Sequence, residues 1–356
     1  MQIKSLNERF YSPNQIIIMN LIIFRRMKKV TVLVTIVALL LVVSGCEKAE
    51  GGKIGKLKWS YENGTLTISG KGEMLSTYKA QYRYYAPPWY EYHMYIETVV
   101  IEMGITNIGD GALWCCYNLT SAIIPNSITS IGECAFAGCE RLPSITIPDK
   151  VTNIGGAAFS GCNSLTSIDI PNSVTTIGKR SFSGCSGLTS ITIGNNVTSI
   201  DEGAFESCSG LTSIIIPNSV TSIGEYAFSG CHGLIGSLTI PSSITNIGNW
   251  AFIGCVSLTS VTILNGVISI GWGTFQSCNS LTSINIPNSV TNINENAFAW
   301  CSNLTSITNL NPVPIPINVN VFKDVNKSNC TLKVPTSAVL AYQNAEVWKE
   351  FNVVGI

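Results

Sequence analysis

The chain has 356 residues, 21 basic and 21 acidic, and only 12% of it is charged. Six basic residues and one acidic residue fall in the first 45 positions, leaving 15 basic against 20 acidic, a net charge of −5, in the rest. That remainder has no basic stripe, which argues against nucleic-acid binding.

Residues 1–26 sit awkwardly ahead of an export signal and read as a non-translated or dispensable extension, with Met27 as the start. Residues 27–45 read as a signal peptide. Met27-Lys28-Lys29 is its basic n-region, and the apolar run Val30 to Val43 is too short to span a bilayer comfortably. Val43-Ser44-Gly45-Cys46 resembles the lipobox of bacterial lipoproteins. That resemblance implies that Cys46 becomes a lipid-modified N-terminus, anchored by about 0.8 kcal/mol per buried CH₂. An ordinary signal peptide or a short anchor helix is the alternative. Residues 46–58, rich in Gly and Lys, read as a tether.

Residues 59–95 read as an N-terminal cap. The alternating sequence on either side of Asn63-Gly64 predicts a β-hairpin. Aromatics then crowd Met74 to Tyr95: Tyr78, Tyr82, Tyr84, Tyr85, Trp89, Tyr90, Tyr92 and Tyr95. They suit either a cover for an open apolar end or a platform for glycan or peptide.

From residue 96 to 310 the chain repeats. Phe136, Phe159, Phe182, Phe205, Phe228, Phe252, Phe275 and Phe298 fall 23 residues apart, with one gap of 24. Each is followed after three residues by a cysteine, from Cys139 to Cys301. Such a period means a solenoid, because one unit buries its apolar face only against its neighbours. About nine units are expected. In the unit Leu211 to Gly233, Leu211, Ile214 and Ile216 match an L-x-x-L-x-L pattern, in which Ile214 and Ile216 point inward along a strand while Ser213 and Ile215 point outward. Pro217-Asn218-Ser219 ends the strand. Val220 and Ile223 begin a second apolar run, and Glu225 to Cys231 is expected to make one short helical or 3₁₀ turn. Leu113 and Cys116 take the Phe and Cys places in an earlier unit. The extra residue lies near Gly236 and predicts a bulge in one strand.

This I-P-x-S-[VI]-T-x-I-G-x-x-A-F-x-x-C core resembles the BspA-like leucine-rich repeats of bacterial surface proteins, over roughly residues 59–356. The resemblance implies a non-catalytic leucine-rich-repeat solenoid, β-rich with short helical turns and capped at both ends. It also implies adhesion to host proteins, extracellular matrix or other bacteria. Residues 311–356 read as the C-terminal cap. Pro312, Pro314 and Pro316 break the period, Thr331 to Pro335 predicts a strand, and Ser337 to Phe351 predicts an amphipathic helix with Thr336 as N-cap. Val339, Leu340, Val347, Trp348 and Phe351 form its apolar face.

The cysteine column reads as buried thiols acting as small hydrophobes. Identical side chains on identical backbones point the same way, so they neither pair nor converge on a metal. Cys115, Cys134 and Cys330 lie outside the column, and a local disulfide among them stays open. The two histidines, His93 and His232, have no nucleophile or carboxylate partner by motif, and no cofactor motif occurs. These features predict a protein that is not an enzyme.

Surfaces remain. Two outward columns run along the strands. One is mostly Ser, from Ser121 to Ser306; the other varies, with Ile123, Asp169, Ile215 and several Thr. They suit either a solvated ladder or a wide polar binding face. Outside the strands, four consecutive units carry Tyr226, Trp250, Trp272 and Trp300 near the Phe positions. These rings read either as packing over neighbouring turns or as one ligand-binding patch. The leading expectation is a lipid-anchored protein of the bacterial envelope, outer-membrane and surface-exposed, that binds host or bacterial surface proteins. A structural spacer and a glycan-binding accessory protein are the alternatives.

Overall fold

The computed structural model describes residues 50–74 and 86–356. Cys46, the leader and Tyr78, Tyr82, Tyr84 and Tyr85 lie outside them. Residues Gly51–Ile356 form one compact unit, a β-solenoid of about 11 turns. Two more turns than the nine expected arise because both ends adopt the solenoid path. Thr65–Gly70 lies parallel to Thr98–Ile101, with Leu66 opposite Val99, and Phe322 continues the phenylalanine column beyond Phe298.

Each turn has three sides. The first carries the outward Ser column on the longer strands, such as Ser167–Ile170 and Ser190–Ile193, paired in parallel with Ser167 opposite Ser190. Its inward positions Leu188, Ile168 and Ile170 are buried. Ser237 belongs to the same column, opposite Ser260, and the shift of register falls between Gly236 and Ser237, as the extra residue predicts. This side divides into three sheets, and residues 144–147 and 213–216 lie outside any strand.

The second side comes from the second apolar run. Each VTSIG-type segment makes a two-residue strand, and nine of these, from Asn107–Ile108 to Asn292–Ile293, form one continuous parallel sheet. Its inward residues, among them Ile177, Ile200 and Ile223, are buried.

The third side, before and after each Phe, is not helical, contrary to expectation. Its N–H groups divide between two destinations. Ala227, Ser229 and Cys231 donate three residues back, to Gly224, Tyr226 and Phe228. Tyr226, Phe228 and Gly230 donate instead to Asn249, Ala251 and Ile253 of the next turn. A helix would spend every donor within its own turn; here alternate donors tie neighbouring turns together. This path needs two left-handed residues per turn, two before the Phe and two after it, as at Tyr226 (φ 56°) and Gly230 (φ 69°).

The core is columnar. Nine phenylalanines from Phe136 to Phe322 stack with centroids 5.1–5.7 Å apart and planes within 15° of each other. These spacings lie in the favourable range for offset rings. The cysteines are buried beside them.

At the N-terminal end the predicted hairpin is present: Leu57–Glu62 pairs antiparallel with Thr65–Gly70 across Asn63-Gly64, both at positive φ. The expected tether is partly sheet. Glu50–Ile54 forms a strand beside Leu57–Glu62. Its glycines serve close approach: a Cβ on Gly51 would come within 2.6 Å of the Trp59 carbonyl oxygen. Trp89 is buried and donates from Nε1 to the Ala112 carbonyl at 2.7 Å, while Tyr61 and Tyr92 stack at 4.5 Å.

The C-terminal cap departs further from expectation. Thr331–Val334 is a strand as predicted, but the single helix is three short pieces, Thr336–Ala338, Val339–Asn344 and Trp348–Glu350. The chain is extended at Ala345 and left-handed at Val347 (φ 65°). Leu340 is 72% exposed, and Tyr342, not assigned to the apolar face, is fully buried. Thr336 does not cap; its hydroxyl donates to the Ile356 carbonyl. The break lets Trp348 and Phe351 meet Phe322 edge-on at 5.5 and 5.1 Å. It also lets Asn352–Gly355 return as a last parallel strand. A continuous helix would satisfy neither.

Candidate ligand-binding surface

The four aromatics singled out from the sequence occupy three different places around the Phe column. Tyr226 and Trp250 lie two residues before Phe228 and Phe252, both at left-handed φ. Their rings stack at 5.2 Å with planes 7° apart. The other side of Trp250 leans over the next turn, where a Cβ on Gly273 would come within 2.6 Å of the indole. Tyr226 and Gly273 thus hold Trp250 between them. Trp272 lies three residues before Phe275 and is 46% exposed. Its N–H is held by Asn249 Oδ1 at 2.9 Å, and its carbonyl accepts the Trp250 N–H at 2.7 Å. Trp300 lies two residues after Phe298, 37% exposed, with Lys323 Nζ 5.1 Å from its ring centroid. The set therefore separates into a packed pair and two exposed indoles on different edges of the Phe side.

The same edges carry charge. Lys179 pairs with Glu202 at 2.7 Å, and Arg180 with Glu206 at 3.2 Å. Glu225 and Glu295 occupy the place of Trp272 in nearby turns. The cross-turn bonds from Tyr226 to Asn249, Trp250 to Trp272 and Gly273 to Glu295 fix that order. Sequence reading overlooked these acids because each is one residue in a 23-residue unit. Their signal is the shared offset from the phenylalanine.

The cysteines make a contact that hydrophobicity alone did not predict. The thiol of each column cysteine donates to a carbonyl one turn back, as Cys185 to Phe159 at 3.1 Å and Cys231 to Phe205 at 3.2 Å. Burial pushes Cys185, Cys231 and Cys301 up to about 12, so the column is chemically inert near neutrality. Cys115, Cys134 and Cys330 are free thiols. His93 stacks on Tyr90 at 4.4 Å, its Nδ1 2.6 Å from the Tyr90 carbonyl oxygen. Among the described residues no cluster of three His, Cys, Asp or Glu is arranged to hold a metal ion.

The profile of the BspA type leucine-rich repeat region matches residues 106–235 and 233–342, two thirds of the chain, in six copies. The chain belongs to the BspA type leucine-rich repeat family. Among solved structures it is similar to a leucine-rich repeat protein from Bacteroides ovatus, 23% identical with a TM-score of 0.54, covering 86% of this chain and 99% of that one. That likeness shows the fold. It is also similar to a leucine rich cell surface protein from Faecalibacterium prausnitzii, 25% identical with a TM-score of 0.44, over 87% and 95% of the two chains. A Leucine Rich Repeat protein of T. pallidum is 30% identical with a TM-score of 0.43, over 46% of this chain and 78% of that one. No curated protein matches the sequence. The repeat solenoid of this family is a non-enzymatic scaffold for protein interaction.

Proposed function

We propose that this protein is a lipid-anchored component of the bacterial envelope, surface-exposed on the outer membrane, that binds protein ligands through its repeat surface and so adheres to host or other cells. One observation carries the reading. The phenylalanines of the repeat body are all driven inward by the period, yet Trp272 and Trp300 stand on its outer edges, 46% and 37% exposed. Exposed indoles are favoured at binding hot spots because they bury much area at low entropic cost. A spacer has no use for them. Tyr226 and Trp250, stacked on each other, are themselves part of the proposed site. Anchoring rests on the sequence Val43 to Cys46.

An array of host matrix proteins, bacterial surface proteins and glycans tests the binding reading. Saturable binding to one protein, weakened in Trp272→Ala and Trp300→Ala, is the expected result. Binding to glycans alone selects the accessory role, and no binding selects the spacer. Anchoring is tested by Cys46→Ser, which is expected to move the protein from the membrane to the soluble fraction. A mutant that stays in the membrane with normal processing overturns it.

A further inference from the structure

The uneven placement of charge narrows the partner, given the reading of a protein-binding repeat surface. Between Ser181 and Phe322 there is no Lys or Arg, and the acids are Asp201, Glu202, Glu206, Glu225 and Glu295. All five fall within four residues before or one residue after a column phenylalanine. The two sheet sides of these turns carry no formal charge at all. The charge is therefore confined to the Phe side, with Glu202, Glu225 and Glu295 at the place that Trp272 occupies. Glu202 and Glu206 are engaged by Lys179 and Arg180. Glu225 and Glu295 have no cationic partner among the described residues. Glu295 accepts one bond, at Oε1, from Asn320 Nδ2 at 2.8 Å, which leaves its other oxygen for a ligand.

We infer that the edge formed by Glu225, Asn249, Trp272 and Glu295 binds an extended basic segment of a partner protein, one rich in Lys and Arg. Successive turns are about 4.8 Å apart, so Glu295 lies one step from Trp272 on one side and Glu225 two steps on the other. A guanidinium or ammonium group lying on the exposed Trp272 face is attracted by its π-system, with Glu295 one turn away to neutralise it. A second cation a few residues along an extended chain meets Glu225. Asn249 lies between them and offers no competing charge; its side-chain oxygen already holds the Trp272 N–H. A neutral glycan would draw on the indole but gain little from the two carboxylates. A nucleic acid would be repelled by them.

The test is fluorescence anisotropy of a labelled peptide of alternating Arg and Ser against the full-length chain in detergent. A Gln-Ser peptide and a neutral oligosaccharide serve as comparison ligands. Saturable binding of the Arg-Ser peptide is expected, weakening with added salt. It should fall at least about tenfold, about 1.4 kcal/mol, in Trp272→Ala and in the double variant Glu225→Gln, Glu295→Gln, with unchanged circular dichroism and melting. No binding overturns the inference. So does equal binding of the Gln-Ser peptide, equal binding by the variants, or Trp272-dependent binding of the oligosaccharide instead. Running the surface-protein array on the same variants separates the two levels. Array binding that survives both variants sinks the basic-peptide edge and leaves the protein-binding surface standing. Loss of all array binding in the unaltered chain sinks both.

Discussion

The middle of the phenylalanine column and its C-terminal end solve the same packing problem differently. Phe205 has a Phe on each face, at 5.5 and 5.3 Å and nearly parallel. Phe322 has Phe298 on one side and meets Trp348 and Phe351 edge-on on the other, at 65° and 77°. In the middle, identical neighbours create a flat slot that only an identical ring fills. At the end no further parallel Phe follows, so the column closes with Trp348 and Phe351 turned across it. A repeat can therefore be written by period alone, whereas a terminus needs residues chosen for one contact.

Truncation at both places tests that contrast. Phe205→Ala should cost about 3–5 kcal/mol, because turns on both sides hold the cavity open. A denaturant midpoint close to the parent would show that the column is not the core. Trp348→Ala should cost somewhat less, about 3 kcal/mol, and the loss should stay local. Amide exchange is expected to rise from Asn311 onward, where Trp348 Nε1 holds the Ile315 carbonyl and Tyr342 holds that of Asn311. Exchange in the central turns should not change. Equal exchange along the whole chain would mean that the end is not a separate closure but part of one cooperative unit.

Alkaline pH probes the thiols beside the rings. The folded column cysteines sit above the ordinary value of 9.0, several at about 12. Their neutral form is bound in the folded state, so this contribution is complete below pH 9. Above it, unfolded thiols ionise while folded ones do not, and stability drains away as pH rises toward 12. Urea midpoints at neutral and alkaline pH should show the fall, and Cys231→Ala should lessen it. A midpoint that stays level above pH 9 would place the thiols in contact with water.

The smallest effect should run the other way. Ser181 stands where neighbouring turns have Ala158 and Ala204, fully buried, and its hydroxyl finds no partner. Ser181→Ala should stabilise by about 1 kcal/mol, seen as a raised melting temperature. Thr274, at the same place four turns later, has its hydroxyl 2.9 and 3.2 Å from the Gly271 and Gly248 carbonyl oxygens. Thr274→Ala should therefore destabilise. A matching gain at both sites would show that these hydrogen bonds are not formed.

Much of this was legible without the structure. Every column cysteine and phenylalanine is where its offset places it. The hairpin follows from Asn63-Gly64, and the strand irregularity from the one 24-residue spacing. These depend on local geometry repeated many times, so period and turn chemistry suffice. The candidate site was legible only in part. The sequence marks Tyr226, Trp250, Trp272 and Trp300 as unusual, but a ring's role turns on its neighbour in the next turn: Gly273 makes room for Trp250, and Lys323 covers Trp300.

By itself, then, the sequence determined the solenoid, its period and which residues face inward, because each unit must bury the same stripe against its copies. Only the tertiary structure decided the rest. It turned the second apolar run into a continuous sheet, and it sent alternate N–H groups of the Phe side to the next turn instead of into a helix. It also drew Gly51 and Gly52 against Trp59, and broke the final helix so that Tyr342 went in and Leu340 out. Each of these outcomes rests on a partner distant in sequence. Local pattern can state that a group needs burial or a hydrogen bond, and the fold alone supplies the group that meets it.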